Sequence, residues 1–332
     1  GVVGDINGDG KPDLVASNNT TVAAVSVLLN TTPTGSATPT FAAKVDFIPS
    51  AQFCQFLAIG DLNGDGKLDL ALSFSTPNIV TVLLNTTPTG SATPTFSART
   101  DFTTGSSPRN VAIGDLNGDG KPDLAVTNNS GNSVSVLLNT TSPGASSPTF
   151  SARTDFTTGT APFPVSIADV NGDGLPDLVV GNNNASSISV LLNTTTTGAS
   201  TPTFAAKTDF TVGTIPRSLT IGDLNGDGKP DLAVGNQTTG NVSVLFNTVS
   251  LPLPVELASF ASSVNSNNVT LNWSTTQEQN NKGFEIERNS FGAGWKKIGY
   301  VEGHGTINSQ QNYTFKDNSL NTGRYSYRLK QI

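Results

Sequence analysis

The sequence is short of the residues that carry most cross-linking and catalytic chemistry. Of its 332 residues, one is cysteine and one is histidine. A single cysteine, Cys54, excludes any disulfide framework within the chain. It sits between Phe53 and Phe56 and reads as a small buried hydrophobe. The histidine, His304, stands in Gly303-His304-Gly305 with no nucleophile frame nearby, so a solvated turn is expected rather than a catalytic base. Zinc spacings, phosphate loops and serine elbows are absent. Only 13% of residues are charged and none form a basic block, which argues against nucleic acid as a partner. No apolar run approaches the length of a membrane span. No stretch sustains a 3.6-residue period, so helices are expected to be nearly absent.

What the chain has is a nine-residue acidic phrase, written five times. One copy reads Asp115-Leu116-Asn117-Gly118-Asp119-Gly120-Lys121-Pro122-Asp123, and the others begin at Asp5, Asp61, Asp169 and Asp223. Their starts are 56, 54, 54 and 54 residues apart, the mark of a repeat architecture. The net charge of −7 follows from these phrases, which hold fifteen of the twenty-five acidic residues. The acidity therefore describes ion sites rather than a surface for steering partners.

The chemistry of the phrase is that of a calcium loop. Positions 1, 3, 5 and 9 supply Asp, Asn, Asp and Asp in every copy, and the carbonyl of position 7 adds a further oxygen. The expected ligands are Asp5, Asn7, Asp9, Lys11 and Asp13 in the first loop, and Asp61, Asn63, Asp65, Lys67 and Asp69 in the second. Asp115, Asn117, Asp119, Lys121 and Asp123 follow in the third, and Asp169, Asn171, Asp173, Leu175 and Asp177 in the fourth. The fifth has Asp223, Asn225, Asp227, Lys229 and Asp231. Ca²⁺ takes six to eight hard oxygens, whereas Mg²⁺ prefers a small octahedron with retained waters. Glycines at positions 4 and 6 permit the sharp turn. An EF-hand is excluded because position 12 is Ala16, Leu72, Val126, Val180 or Val234 instead of Glu, and the flanks are β-favouring. Ordinary Asx-Gly turns would not need an ion, but three carboxylates crowded together would repel without one. One ion per loop, five Ca²⁺ in all, is the expectation.

Each complete unit offers four strands. In the third unit they run Asn110–Ile113, Asp123–Val126, Ser133–Leu138 and from Phe150 to Phe156, separated by Asn/Gly/Pro clusters. Four antiparallel strands per fifty or so residues suggest a propeller blade. The strand–loop–strand unit resembles the FG-GAP/VCBS repeat of integrin-α-type β-propellers over residues 1–250. That resemblance implies an all-β ring of four-stranded blades, commonly seven, with calcium in the strand 1–2 hairpins. The fifth unit lacks its fourth strand and Gly1-Val2-Val3-Gly4 opens within a strand, so further blades, or at least a closing strand, are expected upstream. Asp46, Asp101, Asp155 and Asp209 recur, each before a Phe, and read as blade-to-blade architecture. Asn30, Asn85, Asn139 and Asn193 stand in Asn-x-Thr frames that admit a glycan.

Residues 251–332 form a different domain, entered through Pro252 and Pro254. Strands are expected at Glu256–Ser262, Val269–Trp273, Gly283–Arg288, Trp295–Tyr300 and Arg324–Lys330, with Phe284/Ile286 and Tyr325/Tyr327/Leu329 facing inward, as in a small β-sandwich. Pro254-Val255-Glu256-Leu257, Leu271-Asn272-Trp273-Ser274, the stretch from Glu278 to Glu287 and Tyr325–Lys330 resemble the fibronectin-III-like module of type IX-secreted Bacteroidota proteins. The resemblance implies export to the cell surface or beyond. Weak calcium loops, filled mainly outside the cell, point to the same extracellular address.

Function follows from where the repeats differ. Six residues before the loop Asp stand Gln55, Arg109, Phe163 and Arg217, and Phe53 lies in a segment unique to the second unit. Arg and aromatics at a varied rim suit an extracellular protein or glycan ligand; equally, they would plug a central channel. Paired acids tempt a glycosidase reading, but a catalytic site should break the fivefold symmetry that the carboxylates obey. A non-catalytic adhesion or binding protein is therefore expected. The alternatives are a self-assembling surface-layer or filament subunit and the non-catalytic part of a secreted polysaccharide-degrading enzyme.

Overall fold

The computed structural model describes residues 1–18, 24–47, 54–249, 255–290 and 294–332. Phe53, Gln52, Pro252 and Pro254 lie outside them. Every regular element among the described residues is a β-strand. The chain divides into two compact units, one of them Gly1–Val170 with Leu175–Asn247 and the other Asn171–Gly174 with Thr248–Ile332.

In the first unit each repeat folds as one antiparallel sheet, taken in chain order. The second blade runs Cys54–Gly60, Asp69–Phe74, Ile79–Leu83 and Thr100–Thr103. The third runs Pro108–Gly114, Asp123–Asn128, Ser133–Leu137 and Thr154–Thr157. The first and fourth blades are also four-stranded, and the fifth has three strands, ending at Asn241–Leu245. The expected fourth strand is shorter than its sequence run. Phe150 makes only a lone bridge to Asn139, and pairing resumes at Thr154. Successive sheets lie against one another, as in a β-propeller-like repeat fold.

Both faces of an internal sheet are covered, and this explains why its strands do not alternate apolar with polar. In Asp69–Phe74, Leu70, Leu72 and Phe74 face the first blade. Ala71 faces the third, together with Val80, Val82 and Leu84. Every residue of that strand is buried. The fifth blade shows the same positions uncovered. Val242, Val244 and Phe246 are 65, 49 and 57% exposed, whereas Val80, Val82 and Leu84 are 0, 0 and 2% exposed.

Polar positions stitch the blades. Asp46, Asp101, Asp155 and Asp209 act within a blade, contrary to the blade-to-blade role read for them. Each accepts a hydrogen bond from a strand-3 hydroxyl, of Ser26, Thr81, Ser135 and Ser189 respectively. The link between blades runs instead through those hydroxyls. Ser135 Oγ accepts from Gly105 N of the preceding blade at 3.1 Å, and from Asn128 Nδ2 at 2.8 Å. Ser189 repeats this with Gly159 and Asn182.

The second unit is a single bent sheet. The strands expected at Val269–Trp273 and Gly283–Arg288 are one, Asn268–Ser290. Its first half pairs with Val255–Asn265 and Gln311–Asp317, its second half with Trp295–Ile307 and Tyr325–Gln331. The strand Gln311–Asp317 had no sequence expectation. Leu271 and Trp273 from one half share a core with Phe284 and Ile286 from the other, and Tyr325, Tyr327 and Leu329 close it. His304 is exposed, as expected, but lies in a strand rather than a turn, and its Nδ1 is 2.7 Å from Tyr313 Oη. Tyr313 in turn donates to the buried Glu278 carboxylate.

A Cβ at Gly159 would stand 2.6 Å from Asn182 Cγ, and Asn182 is held by its bonds to Ser187 and Ser189. Gly159→Ala is expected to cost about 1–3 kcal/mol by overpacking this junction. Gly222→Ala, where a Cβ meets nothing, is expected to be near neutral. Thermal unfolding of the two variants checks the contrast.

Candidate metal loops and the opposite end

The five acidic phrases form the hairpins between strands 1 and 2 of each blade. Position 1 is tied down by the backbone of the turn it begins. Asp5 Oδ1 accepts from Asp9 N at 3.1 Å and Oδ2 from Gly10 N at 2.8 Å. Asn7 Oδ1 accepts from Asp9 N at 3.2 Å, and Asp9 Oδ1 from Lys11 N at 2.9 Å. The second and third loops repeat these bonds within about 0.1 Å. Position 6 takes φ near +83° in the first loop, a value that only glycine adopts without strain.

Position 9 is placed differently. Asp13, Asp69, Asp123, Asp177 and Asp231 are completely buried beneath their loops. Asp69 Oδ2 accepts from Leu62 N at 2.8 Å, and Oδ1 accepts from Asn85 N at 2.7 Å, at the end of strand 3. Burial pushes the Asp69 carboxyl up to about 6 and that of Asp123 up to about 7. The two N–H bonds to each oppose the rise, while the loop carboxylates at positions 1 and 5 add to it.

The structure thus joins positions 1, 3 and 5 through shared backbone donors and sets position 9 underneath them. Among the described residues no three Asp, Glu, His or Cys side chains converge as a metal cage on their own. A cation at these loops must also draw on the Asn amide oxygen and the position-7 carbonyl. That mixed, all-oxygen donor set suits Ca²⁺ rather than a transition metal. It would also offset the cost of ionising the buried position-9 carboxylate.

One set of site residues was missed in the sequence. Asn85, Asn139 and Asn193 are almost fully buried, so the Asn-x-Thr frames there are not glycan sites. Their Nδ2 groups are committed twice. Asn85 Nδ2 donates to Leu68 O of its own blade at 3.1 Å and to Ile6 O, in the preceding blade's loop, at 2.8 Å. Asn139, Asn193 and Asn247 do the same. The signal was present as an Asn 24 residues after each loop Asp from the second repeat onward.

At the other end of the blades the varied residues meet each other. They begin first strands rather than loops. Arg109 Nη1 donates to Gln55 Oε1. The Phe56 and Phe163 rings, from the second and fourth blades, stack edge to face at 5.1 Å. The Arg217 guanidinium lies 4.5 Å from the Phe163 ring centre, and its Nε donates to Gln237 Oε1 at 2.8 Å. Phe163 is buried, whereas Arg217 and its partner Gln237 are exposed. Cys54 lies in the first core, and burial pushes its thiol up to about 12, far from a nucleophile's range.

The profile of the FG-GAP-like repeat matches residues 5–72, 61–126, 115–180 and 169–234. Each match runs from one acidic loop through the strand after the next. No curated protein matches the chain. Among solved structures, that of BBS1N in complex with ARL6DN, soaked with lead, is 14% identical with a TM-score of 0.34. The match covers 66% of this chain and 64% of that one. The TcdB2–TccC3 structure is also 14% identical, with a TM-score of 0.30, over 89% of this chain and 19% of that one.

The raised position-9 carboxyls set the sign of a pH effect. Their folded values lie above the ordinary 3.8, so the folded protein holds protons that the unfolded chain has released. In chelator, stability is expected to be greatest below about pH 4 for these groups and to fall as pH rises through 6 to 7. Melting curves in EDTA-type chelator across that range check the slope.

Proposed function

Since the chain belongs to the FG-GAP-like repeat family, we propose that it is a calcium-stabilised, non-catalytic binding protein that works outside the cell. Repeats of this family occur in integrin-like binding proteins. The observation that carries the reading is the fivefold loop, in which oxygen donors recur in one spacing above a buried carboxylate. One Ca²⁺ per loop would fix each hairpin and leave the opposite end of the blades to vary. There the exposed Arg217, backed by Phe163, offers the cation and aromatic surface that a protein or glycan ligand would use. In the second unit, the fibronectin-III-like wording supports secretion by the type IX route and display at the cell surface.

A second reading, self-assembly into a surface layer or filament, is favoured by one observation. The open face of the fifth blade carries the apolar positions that the internal blades cover with a neighbour. A blade from another copy would meet it in the geometry already used inside the chain.

Calorimetric titration of chelated protein with Ca²⁺ tests the first reading. One site per loop is expected, with a rise in melting temperature that reflects about 2.7 kcal/mol for each site at a hundredfold excess over its dissociation constant. A flat titration overturns it. Sedimentation as a function of concentration tests the second. Association that Val244→Lys abolishes supports assembly through the fifth blade, and a monomer at all concentrations excludes it.

A further inference from the structure

Calcium loops tolerate either Asp or Asn as an oxygen donor, and Asp is the stronger ligand for a cation. All five loops here nevertheless carry Asn at position 3. The geometry points to a reason. We propose that this asparagine is a two-sided bracket in the first three loops, with its amide oxygen serving the ion and its amide nitrogen latching the loop to the next blade. Ion affinity then depends on blade docking. The inference rests on the calcium reading above.

The latch is seen three times. Asn7 Nδ2 donates to Ser91 O at 3.0 Å, Asn63 Nδ2 to Ala145 O at 3.1 Å and Asn117 Nδ2 to Ala199 O at 3.0 Å. Each acceptor lies in the long strand 3–4 turn of the following blade. The backbone seals the same contact in return. Gly90 N donates to Asn7 O, Gly144 N to Asn63 O and Gly198 N to Asn117 O, each at 2.7 Å. The turn comes close enough that a Cβ at Gly8 or Gly118 would stand 3.3 Å from the methyl of Thr89 or Thr197. In the first and third loops position 4 is thus crowded by the neighbour as well as set at positive φ, whereas a Cβ at Gly64 would stand an ordinary 3.8 Å from Pro143.

With the nitrogen held by the neighbouring turn, and in Asn63 also reaching Asp65 Oδ2 at 3.3 Å, the oxygen is turned to its own loop. Asn7, Asn63 and Asn117 Oδ1 each accept from the position-5 N–H of their own loop at 3.2 Å. Flipping the amide would set its oxygen against the neighbour's carbonyl oxygen, so the next blade selects the orientation that presents a ligand. Aspartate cannot do both. It would gain charge toward the ion but place a carboxylate oxygen against that carbonyl, with no proton between them.

Loop 5 supplies the contrast within the same molecule. Asn225 Oδ1 accepts from Asp227 N at 2.8 Å, but its nitrogen meets no turn of another blade among the described residues. Here Asn→Asp removes no latch and adds only charge. The bracket therefore predicts opposite effects of one substitution at two loops.

The experiment is amide hydrogen exchange, resolved by residue, across a Ca²⁺ titration of the full chain. Gly66 N–H, bound to Asp61, reports loop 2, and Gly228 N–H, bound to Asp223, reports loop 5. Asn63→Asp is expected to raise the calcium midpoint at Gly66 about tenfold, the effect of one lost hydrogen bond, and to abolish calcium-dependent protection of Gly144 N–H. Asn225→Asp is expected to lower the midpoint at Gly228. The first and third loops should be unmoved in both variants, which also shows that the fold is retained. Asn117→Asp, read at Gly120, repeats the test in a separate interface should Asn63→Asp unfold. An unchanged or lowered midpoint at Gly66, or shifts of the same sign at the two loops, overturns the bracket. Wild-type protein with no calcium-dependent protection at any loop overturns the calcium reading itself, a result distinguishable from the other because it precedes any variant.

Discussion

Each blade is fastened by a carboxylate that water does not reach. Asp69 holds Leu62 N at the start of its own loop and Asn85 N at the end of its third strand. Asn85 then carries the connection to Ile6 of the blade before. Asp123 with Asn139, Asp177 with Asn193 and Asp231 with Asn247 extend the same chain of bonds from blade to blade. Without it the loop, the third strand and the preceding blade would have no common point of reference. A buried carboxylate is costly in a dry site unless its lone pairs are used, and here two backbone donors use them.

From that constraint follows the unusual economy of the interior. Sheets covered on both sides need apolar residues on both, and the strands are correspondingly continuous in character. Polar side chains that remain inside recur in one pattern, in which Ser135 Oγ accepts from Asn128 Nδ2 and donates to Asp155, while the Asn128 Oδ1 is buried without a hydrogen-bond partner. In the fifth blade the equivalent positions Val242, Val244 and Phe246 are exposed, and this apolar character belongs to the repeat and not to unusual residues.

The division of labour between the two ends of a blade is also physical. At the loop end, geometry is dictated by backbone amides that fold around acidic side chains, and any change would disturb a shared bond network. At the opposite end the side chains meet as pairs, Gln55 with Arg109 and Phe163 with Arg217. The Glu278–Tyr313 pair in the second unit shows a third use of buried polarity. The Tyr313 hydroxyl and the Asn281 amide hold the Glu278 carboxylate below its usual range, against the cost of burial. The exposed His304 touches that network only through its Nδ1, 2.7 Å from the Tyr313 hydroxyl.

The repeat, its strands and its loops were legible in the sequence because they depend on local chemistry. A fixed interval, Asx and Gly at set positions and β-favouring runs dictate a hairpin wherever they occur. What lies between residues distant in sequence was not legible. Nothing local shows that the position-9 Asp sinks beneath its loop, that Asn85 reaches back 79 residues to Ile6, or that Asn7 reaches forward 84 residues to Ser91. Nor does it show that Val269–Trp273 and Gly283–Arg288 are one strand, because the polar residues between them look like a turn until Glu278 and Asn281 find each other inside. Spacing along the chain determines which donors and acceptors exist; only packing one blade against the next decides which of them meet, since each bond is selected by a partner that the local sequence does not contain.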